Sequence, residues 1–430
     1  MPDKITVFWF RRDLRLEDNK GLFLALNEHF PVLPVFIFDT NILNDLDDKS
    51  DSRITFIIDA LKIINKKLIK YNSGIKVLIG TPLNAFQSLV KEYDIHKVYT
   101  NTDYEPYAIQ RDQEIASFLK SRNIEFQSEK DQVIFEKTEV LNNSGQPYKV
   151  YTPYKNKWKE LFKKDSTKEY PSDAKLDNIY KLANTELPEL GQLGFKPSAL
   201  KIPPFIFDQN LIKNYHLTRN NPSLPTSRIG VHLRFGTISI RKAIQIACEL
   251  NETWLDELIW REFFMQLLYN FPNSATEPFH SKFSRLEWIN DEEQFDKWCN
   301  GLTGYPMVDA GMRELNATGF MHNRVRMVAA SFLTKHLLIN WTWGEQYFAS
   351  KLLDYEMSSN VGNWQWVAGT GADAQPFIRV FNPELQAKRF DPDLTYIKTW
   401  IPEIDSEEYP KPIVNHKEAV KRTKMAFENL

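Results

Sequence analysis

Cysteine is almost missing from this sequence: among 430 residues only Cys248 and Cys299 carry thiols. That excludes a disulfide scaffold and a cysteine-rich metal site, and it fits a reducing compartment. An excess of charge is missing too, because 54 basic residues face 56 acidic ones and leave a net of −2. Bulk charge therefore predicts no nucleic-acid or membrane partner, and any phosphate contact has to come from a local patch. No run reaches the ~18 apolar residues of a membrane span. The amino terminus, Met-Pro-Asp-Lys, leads into a strand-like segment with no secretory n-region and h-region. The expectation is a cytoplasmic protein without a membrane partner. There is no Walker A sequence, no His-Glu-x-x-His, no paired Cys-x-x-Cys and no Gly-x-Ser-x-Gly. No metal site is expected. Gly369-Thr-Gly-Ala-Asp-Ala374 fits a Gly-x-Gly-x-x-Ala fingerprint, but it follows a Trp-rich polar segment instead of a strand, so it is not read as a dinucleotide loop.

What is present divides the chain. At roughly 100–200 residues per domain the length predicts two or three domains. Short β-branched and aromatic runs at 5–10, 32–38, 75–79, 97–100 and 124–127 alternate with amphipathic stretches at 54–71, 82–93 and 108–121. Such alternation predicts a Rossmann-like, doubly wound parallel sheet over residues 1–130. From 131 to 204 the pattern dissolves into Lys, Asp, Pro and Asn with scattered aromatics, which reads as an interdomain linker. From 205 to 430 the expectation is an all-helical domain, with helices at 240–250, 254–271, 292–301, 307–319, 322–338 and 343–353.

Aromatic residues make up 13% of the chain, and nine of its 11 tryptophans lie from Trp254 onward. Core packing alone rarely selects Trp, whose N–H needs a partner. Glu257, Trp260, Arg261 and Phe264 recur at i, i+3, i+4 and i+7 and share one helix face, a set that suits a flat, hydrogen-bonding ligand beside a phosphate. Asn323 and Met327 are i, i+4 partners, while Arg324 and Arg326 project to different sides. Asp354, Tyr355, Glu356 and Asn360 follow, then Asn363-Trp364-Gln-Trp366. Acids near arginines and amides among tryptophans, with no nucleophile, suit a bound aromatic cofactor that carries the hard chemistry itself.

These segments, together with Thr303-Gly-Tyr-Pro-Met-Val-Asp-Ala310, Asn316-Ala-Thr-Gly-Phe-Met-His-Asn-Arg324, Phe381-Asn-Pro383 and the opening Trp9-Phe-Arg-Arg-Asp-Leu-Arg-Leu-Glu-Asp-Asn19, resemble the cryptochrome/photolyase family from end to end, most densely over 226–402. The resemblance implies an α/β antenna domain, a linker and a helical FAD-binding and DNA-binding domain. It is strongest to the class I cyclobutane pyrimidine dimer photolyases, carbon–carbon lyases that repair DNA with light by electron transfer from photoexcited reduced FAD to a flipped-out dimer. Glu257 and Met321-His322-Asn323 depart from the pattern of (6-4) photolyases, and Trp366 departs from that of DASH-type cryptochromes. A cryptochrome-like blue-light receptor is the alternative of a different class, and the short stretch 417–430 lacks its long polar extension.

The same resemblance implies roles residue by residue. Arg219, Glu257, Trp260, Arg261, Asn323, Arg324, Met327, Trp366 and Gln386 would meet the DNA and its lesion, with Lys388 and Arg389 adding charge. Tyr215, Thr226, Ser227, Arg228, Ile229, Gly230, Trp254, Arg326, Asp354, Tyr355, Glu356 and Asn360 would hold FAD. Glu257, Met327 and Asn360 would act in the chemistry, and Trp364, Trp341 and Trp288 would relay electrons to the flavin, whereas Trp298 and Trp343 are read as core. Glu105 matches a folate contact of one branch, but the stretch 40–53 and Ala275 depart from that branch. The antenna chromophore is left open between a folate, a deazaflavin, a flavin and none. The expected partner is DNA carrying cyclobutane pyrimidine dimers, bound by a monomer that is nucleoid-associated while on DNA.

Overall fold

The computed structural model describes residues 4–182, 186–200, 207–376, 379–428 and 430. The expected linker end at 201–204 and the start of the helical domain at 205 lie outside the described residues. Five parallel strands, β1 (Lys4–Phe10), β2 (Val32–Asp39), β3 (Lys76–Gly80), β4 (Asp94–Asn101) and β5 (Glu125–Glu129), form one sheet in the order β3-β2-β1-β4-β5. Ile5, Val7, Val35 and Val98 are fully or almost fully buried, as expected of parallel strands covered on both faces. The helices α1 (Lys20–Leu26), α2 (Ser52–Leu68), α3 (Pro82–Glu92) and α4 (Pro106–Lys120) supply the covering layers. The strand order reverses between β1 and β4, and open α/β sheets bind ligands at the carboxyl ends flanking that point. Arg11 and Arg12 follow β1 there, and Asp103 and Glu105 follow β4.

The expected linker is not without structure. It contains the helix α5 (Tyr151–Leu161), whose Tyr151, Tyr154 and Trp158 are buried on one side. Lys155, Lys157, Lys159 and Glu160 between and beyond them hide that aromatic face from a reading of composition. By contacts the chain forms two compact units, one made of Met1–Glu139, Lys159–Phe205 and Arg228–Glu249, the other of Val140–Trp158, Ile206–Ser227 and Leu250–Leu430.

After β5 no further strand occurs among the described residues. α6 (Ile240–Leu250) belongs largely to the first unit, and the second is built on α7 (Glu252–Asn270), α8 (Glu292–Cys299), α9 (Pro306–Thr318), α10 (Asn323–Ser331), α11 (Trp341–Lys351), α12 (Met357–Ala368), α13 (Pro383–Phe390), α14 (Thr395–Trp400) and α15 (His416–Glu428). The expected single helix over 322–338 instead ends as α10 at Ser331 and passes into a π-helical turn at Phe332–His336. There the Thr334 hydroxyl donates back to the Ala330 carbonyl at 2.9 Å, competing with the backbone ladder and favouring the wider turn. α12 has weak local signals because Ser358, Ser359, Asn360 and Asn363 are poor helix formers. Tertiary packing overrides them: a Cβ at Gly362 would collide with the Phe264 ring of α7, and one at Gly344 of α11 would collide with Trp364. Both glycines let α12 lie close against its neighbours, which sets where Asn360, Trp364 and Trp366 point.

Candidate active site

α7 carries the first site residues, and its start is capped by Asn251, whose Oδ1 accepts from the Trp254 N–H at 3.0 Å. Arg219 Nη1 lies 2.8 Å from Glu257 Oε1, and the Tyr215 hydroxyl also bonds this carboxylate. Burial raises the Glu257 carboxyl above its ordinary value, Asp256 adds to the rise, and Arg219 and Tyr215 oppose it. One turn on, Arg261 Nε sits 3.3 Å from Glu356 Oε2, so this guanidinium is committed to an internal ion pair. Trp260, between them, is half-buried: the ring of Tyr151 stacks on its indole with centroids 3.5 Å apart and planes within 9°, and Phe264 lies offset at 5.4 Å.

α10 begins at His322, whose Nδ1 accepts from the Arg324 N–H at 3.1 Å. Burial, with Arg326 and Arg324 close by, pushes the His322 imidazole down to about 4, so the ring stays neutral and keeps this cap. The two arginines diverge. Arg324 reaches Asn220 Oδ1 at 2.6 Å and packs over Phe390, whereas Arg326 donates to Asp354 Oδ2 at 2.9 Å. Burial and then the guanidiniums of Arg219, Arg389 and Arg379 lower the Arg324 pKa, the signature of a cluster of like charges. Lys388 and Arg389 are exposed on α13 and Gln386 is half-buried beside them.

Two cavities gather most of the expected cofactor residues of the second unit. One, an open cleft, is lined by Asn323, Arg326, Met327, Asp354, Tyr355, Glu356, Asn360 and Trp364, with Ala330, Phe348, Leu352 and Val367 as apolar wall. The other, much smaller, is lined by Tyr215, Arg219, Thr226, Ser227 and Trp254. Glu257 pairs with a residue of the second cavity and Arg261 with a residue of the first, so α7 is tied to both. Arg228, Ile229 and Gly230 belong to the first unit, where Arg228 has φ +46° and precedes the short helix Ile229–Arg234.

The donor set fits a flavin. Asp354 Oδ1 is buried and lacks a partner among the described residues, an acceptor left for a ligand N–H. Both amide hydrogens of Asn360 are taken by Glu345, at Oε1 (2.9 Å) and at its carbonyl (3.1 Å), which leaves the Asn360 oxygen as an acceptor beside the cavity. A reduced isoalloxazine presents ring N–H donors, apolar faces and a polar edge, and this cavity answers each. The hydroxyls of Thr226 and Ser227 line the other cavity and suit a pyrophosphate.

Of the expected relay, Trp364 is 2% exposed, lines the first cavity and packs edge-on against Phe348 and Trp298. Trp341 opens α11 and is buried, and half-buried Trp288 meets Phe427 edge-on. Trp298 is fully buried, with its N–H on the Ala329 carbonyl. Trp366 is half-buried on α12. Glu105 stands apart in the first unit, within 3.0 Å of Arg12 and 3.4 Å of Arg234. Sequence reasoning passed over Glu345, Arg379 and Tyr151. A lone carboxylate in the aromatic helix α11 was the one available signal for Glu345; the other two carried none.

A parallel α/β sheet followed along the chain by a helical unit whose cleft suits a flavin defines a flavin-binding protein of the α/β-plus-helical class. The chain belongs to the DNA photolyase family: residues 6–172 match the DNA photolyase family model and residues 254–407 match the FAD binding domain of DNA photolyase. It is 35% identical to a deoxyribodipyrimidine photo-lyase of Synechococcus, over 99% of this chain and 96% of that protein. It is 34% identical to a deoxyribodipyrimidine photo-lyase of Halobacterium salinarum, over 95% and 96%. Among solved structures it is similar to a bacterial class III photolyase from Agrobacterium tumefaciens, with TM-score 0.87 and 30% identity over 100% of this chain and 98% of that one. It also resembles an archaeal photolyase from Sulfolobus tokodaii solved with two FAD molecules, with TM-score 0.84 and 32% identity over 99% and 100%. A Synechocystis cryptochrome, at 23% identity, shares the fold.

Proposed function

We propose that this chain is a deoxyribodipyrimidine photo-lyase that repairs cyclobutane pyrimidine dimers in DNA. When bound, reduced FAD would supply the photoexcited electron that opens the cyclobutane ring and would take it back afterwards. The observation that carries this reading is α7: within one helical turn it presents a carboxylate tied to the Tyr215–Arg219 cavity, a half-buried indole, and a guanidinium tied to the cleft lined by Asp354 and Asn360. A dimer inside a duplex cannot reach such a site, so it must be extruded, and damage lowers that cost. Trp260, Trp366 and Met327 form apolar walls for the pyrimidine rings, while Glu257 and Asn323 meet their polar edges. Burial favours the protonated form of Glu257, and in that form its carboxylic O–H would donate to the dimer and stabilise the negative charge that it carries while it holds the extra electron, a task for a preorganised donor in a site of low dielectric. Asp354 and Arg326 orient the flavin, and Asn360 offers its carbonyl oxygen to a ring N–H. Arg261, held by Glu356, acts on that edge of the site, and phosphate contacts fall to Arg219, Arg324, Gln386, Lys388 and Arg389. Trp364, Trp341 and Trp288 would relay electrons from an external reductant at the surface to a bound oxidised flavin.

One chain carries both cavities and the α7 face, so the working unit is a monomer, cytoplasmic and nucleoid-associated while on DNA. Among the described residues no helix is long and apolar enough to cross a membrane. The antenna domain is built on residues 1–130 and the catalytic domain on 250–430, with 140–158 grouped with the catalytic part and 228–249 with the antenna part. A light-harvesting chromophore, where one is bound, would be a folate, a deazaflavin or a flavin seated at the switch point beside Arg12, Asp103 and Glu105. The testing experiment illuminates the FAD-loaded protein with oligonucleotides carrying a single thymine dimer or a single (6-4) lesion, with dark controls. Restoration of thymines in light, and from the cyclobutane dimer alone, is expected; no restoration, or equal restoration in darkness, overturns the proposal.

A further inference from the structure

Resting on the assignment of Trp260 and Trp366 as walls of the lesion pocket, we infer that Tyr151 and Asp373 form a brace that locks the Trp260 indole and couples it to the helix bearing Trp366, making Tyr151 a positioning residue for the flipped dimer. Tyr151 opens α5, far from either tryptophan in sequence. Its ring lies flat on the Trp260 indole, with centroids 3.5 Å apart and an interplanar angle of 9°. Its hydroxyl donates to the main-chain carbonyl of Asp256 at 2.8 Å, one turn before Trp260 on the same helix. Lys155, one turn further along α5, adds an ion pair to the Asp256 carboxylate at 2.9 Å. Ring and hydroxyl thus hold α7 at two points, and Tyr151 is only 6% exposed. A tryptophan gripped this way cannot change rotamer without breaking the stack.

The second half of the brace uses the Gly369–Ala374 segment, which is not a dinucleotide loop. It leaves the end of α12 three residues after Trp366, with φ +79° at Gly369. A Cβ at Gly371 would come within 2.8 Å of the Gln365 side chain, so only glycine lets the turn fold back on the helix. The turn delivers Asp373, held at φ +49°, whose Oδ2 accepts from the Tyr151 N–H at 2.9 Å. A left-handed conformation in a residue with a Cβ is unfavourable and persists where surrounding contacts impose it. The two tryptophans are thereby linked through one tyrosine, Trp260 by its ring and the Trp366 helix by its backbone. With Tyr151 covering one face of Trp260, a pyrimidine meets only the opposite face or the edge of the indole. Burial, together with the charges of Asp256 and Glu257, pushes the Tyr151 phenol far above its ordinary value, so the hydroxyl remains a donor at every working pH.

The test measures dark binding of the FAD-loaded protein to dimer-containing and undamaged oligonucleotides, in the wild-type and Trp260→Ala backgrounds. Tyr151→Leu is expected to weaken binding of dimer DNA about five- to tenfold, the worth of one aromatic stack, while flavin content and affinity for undamaged DNA hold. Tyr151→Phe, which keeps the stack, should rescue dimer binding to within about twofold. In the Trp260→Ala background Tyr151→Leu should add nothing, because the two residues act as one unit. Asp373→Ala leaves both rings in place and should weaken dimer binding selectively, which keeps the test alive if Tyr151→Leu fails to fold. Unchanged dimer binding by Tyr151→Leu, or the same loss with and without Trp260, overturns the brace. If Trp260→Ala itself binds dimer DNA normally, the lesion assignment of Trp260 falls first and the brace falls with it.

Discussion

At the scale of single residues, the site is an arrangement of groups kept from their usual partners. Glu257 is a carboxylate whose ordinary hydration is replaced by Arg219 and Tyr215, and Asp354 keeps one buried oxygen unpaired. Replacing Glu257 by Ala is expected to lower dimers repaired per absorbed photon severalfold with FAD still bound; an unchanged yield removes Glu257 from the chemistry. Trp364→Phe should slow photoreduction of oxidised FAD while sparing repair by protein supplied with reduced flavin, and transient absorption after a flash reads the difference. Normal photoreduction would discredit the relay. The α7 set was legible because helical spacing alone places Glu257, Trp260 and Arg261 together. Arg261 shows the limit of that view, since its partner Glu356 lies far along the chain and turns the arginine inward. Tyr151 was invisible for the same reason, since it acts through a residue distant in sequence, and Glu345 left only the faint signal of a lone carboxylate in an aromatic helix.

At the scale of elements, strands and capped helices were readable and packing-imposed ones were not. β1 to β5 follow their apolar runs, and α7 starts where Asn251 supplies a cap. Asn251 also donates to the Lys213 carbonyl at 2.9 Å, so Asn251→Ala should cost about 1 kcal/mol of stability, measured by urea unfolding. α12 and the π-turn depend on close approaches and buried polar groups that local propensity does not encode. Lys335 in that turn is fully buried, donates to the Ala368 carbonyl at 2.6 Å and lies over the Phe427 ring. Burial lowers its pKa to about 7 from the ordinary 10.5. Between those values the unfolded chain holds a proton that the folded chain has released, so stability rises with pH across the window and this contribution is flat below about 7. Wild type should therefore gain stability relative to Lys335→Met as pH goes from about 7 to about 9. Parallel urea midpoints for the two proteins would show that the Lys335 proton is the same folded and unfolded.

At the scale of the whole molecule, a net charge of −2 and a DNA substrate are compatible because Arg219, Arg379 and Arg389 gather round Arg324, close enough to lower its pKa. Binding to damaged and undamaged oligonucleotides should weaken together as salt rises, with a log–log slope of about −0.9 per phosphate neutralised. A flat response would contradict the arginine patch. The α/β-then-helical order was legible from the loss of the strand pattern after residue 130 and the helical periods that follow from 205 onward. The interleaving of the two compact units was not, because 140–158 and 228–249 join their units through contacts with no local signature. The central claim is that a flipped dimer sits against Glu257 and Asn323 between Trp260 and Trp366, next to the flavin. The most direct measurement is a crystal structure of the FAD-loaded protein with a thymine-dimer duplex, grown in darkness. The account predicts the dimer extruded from the helix with its polar edges on Glu257 and Asn323. A dimer still stacked within the duplex, or lodged elsewhere on the protein, would contradict it.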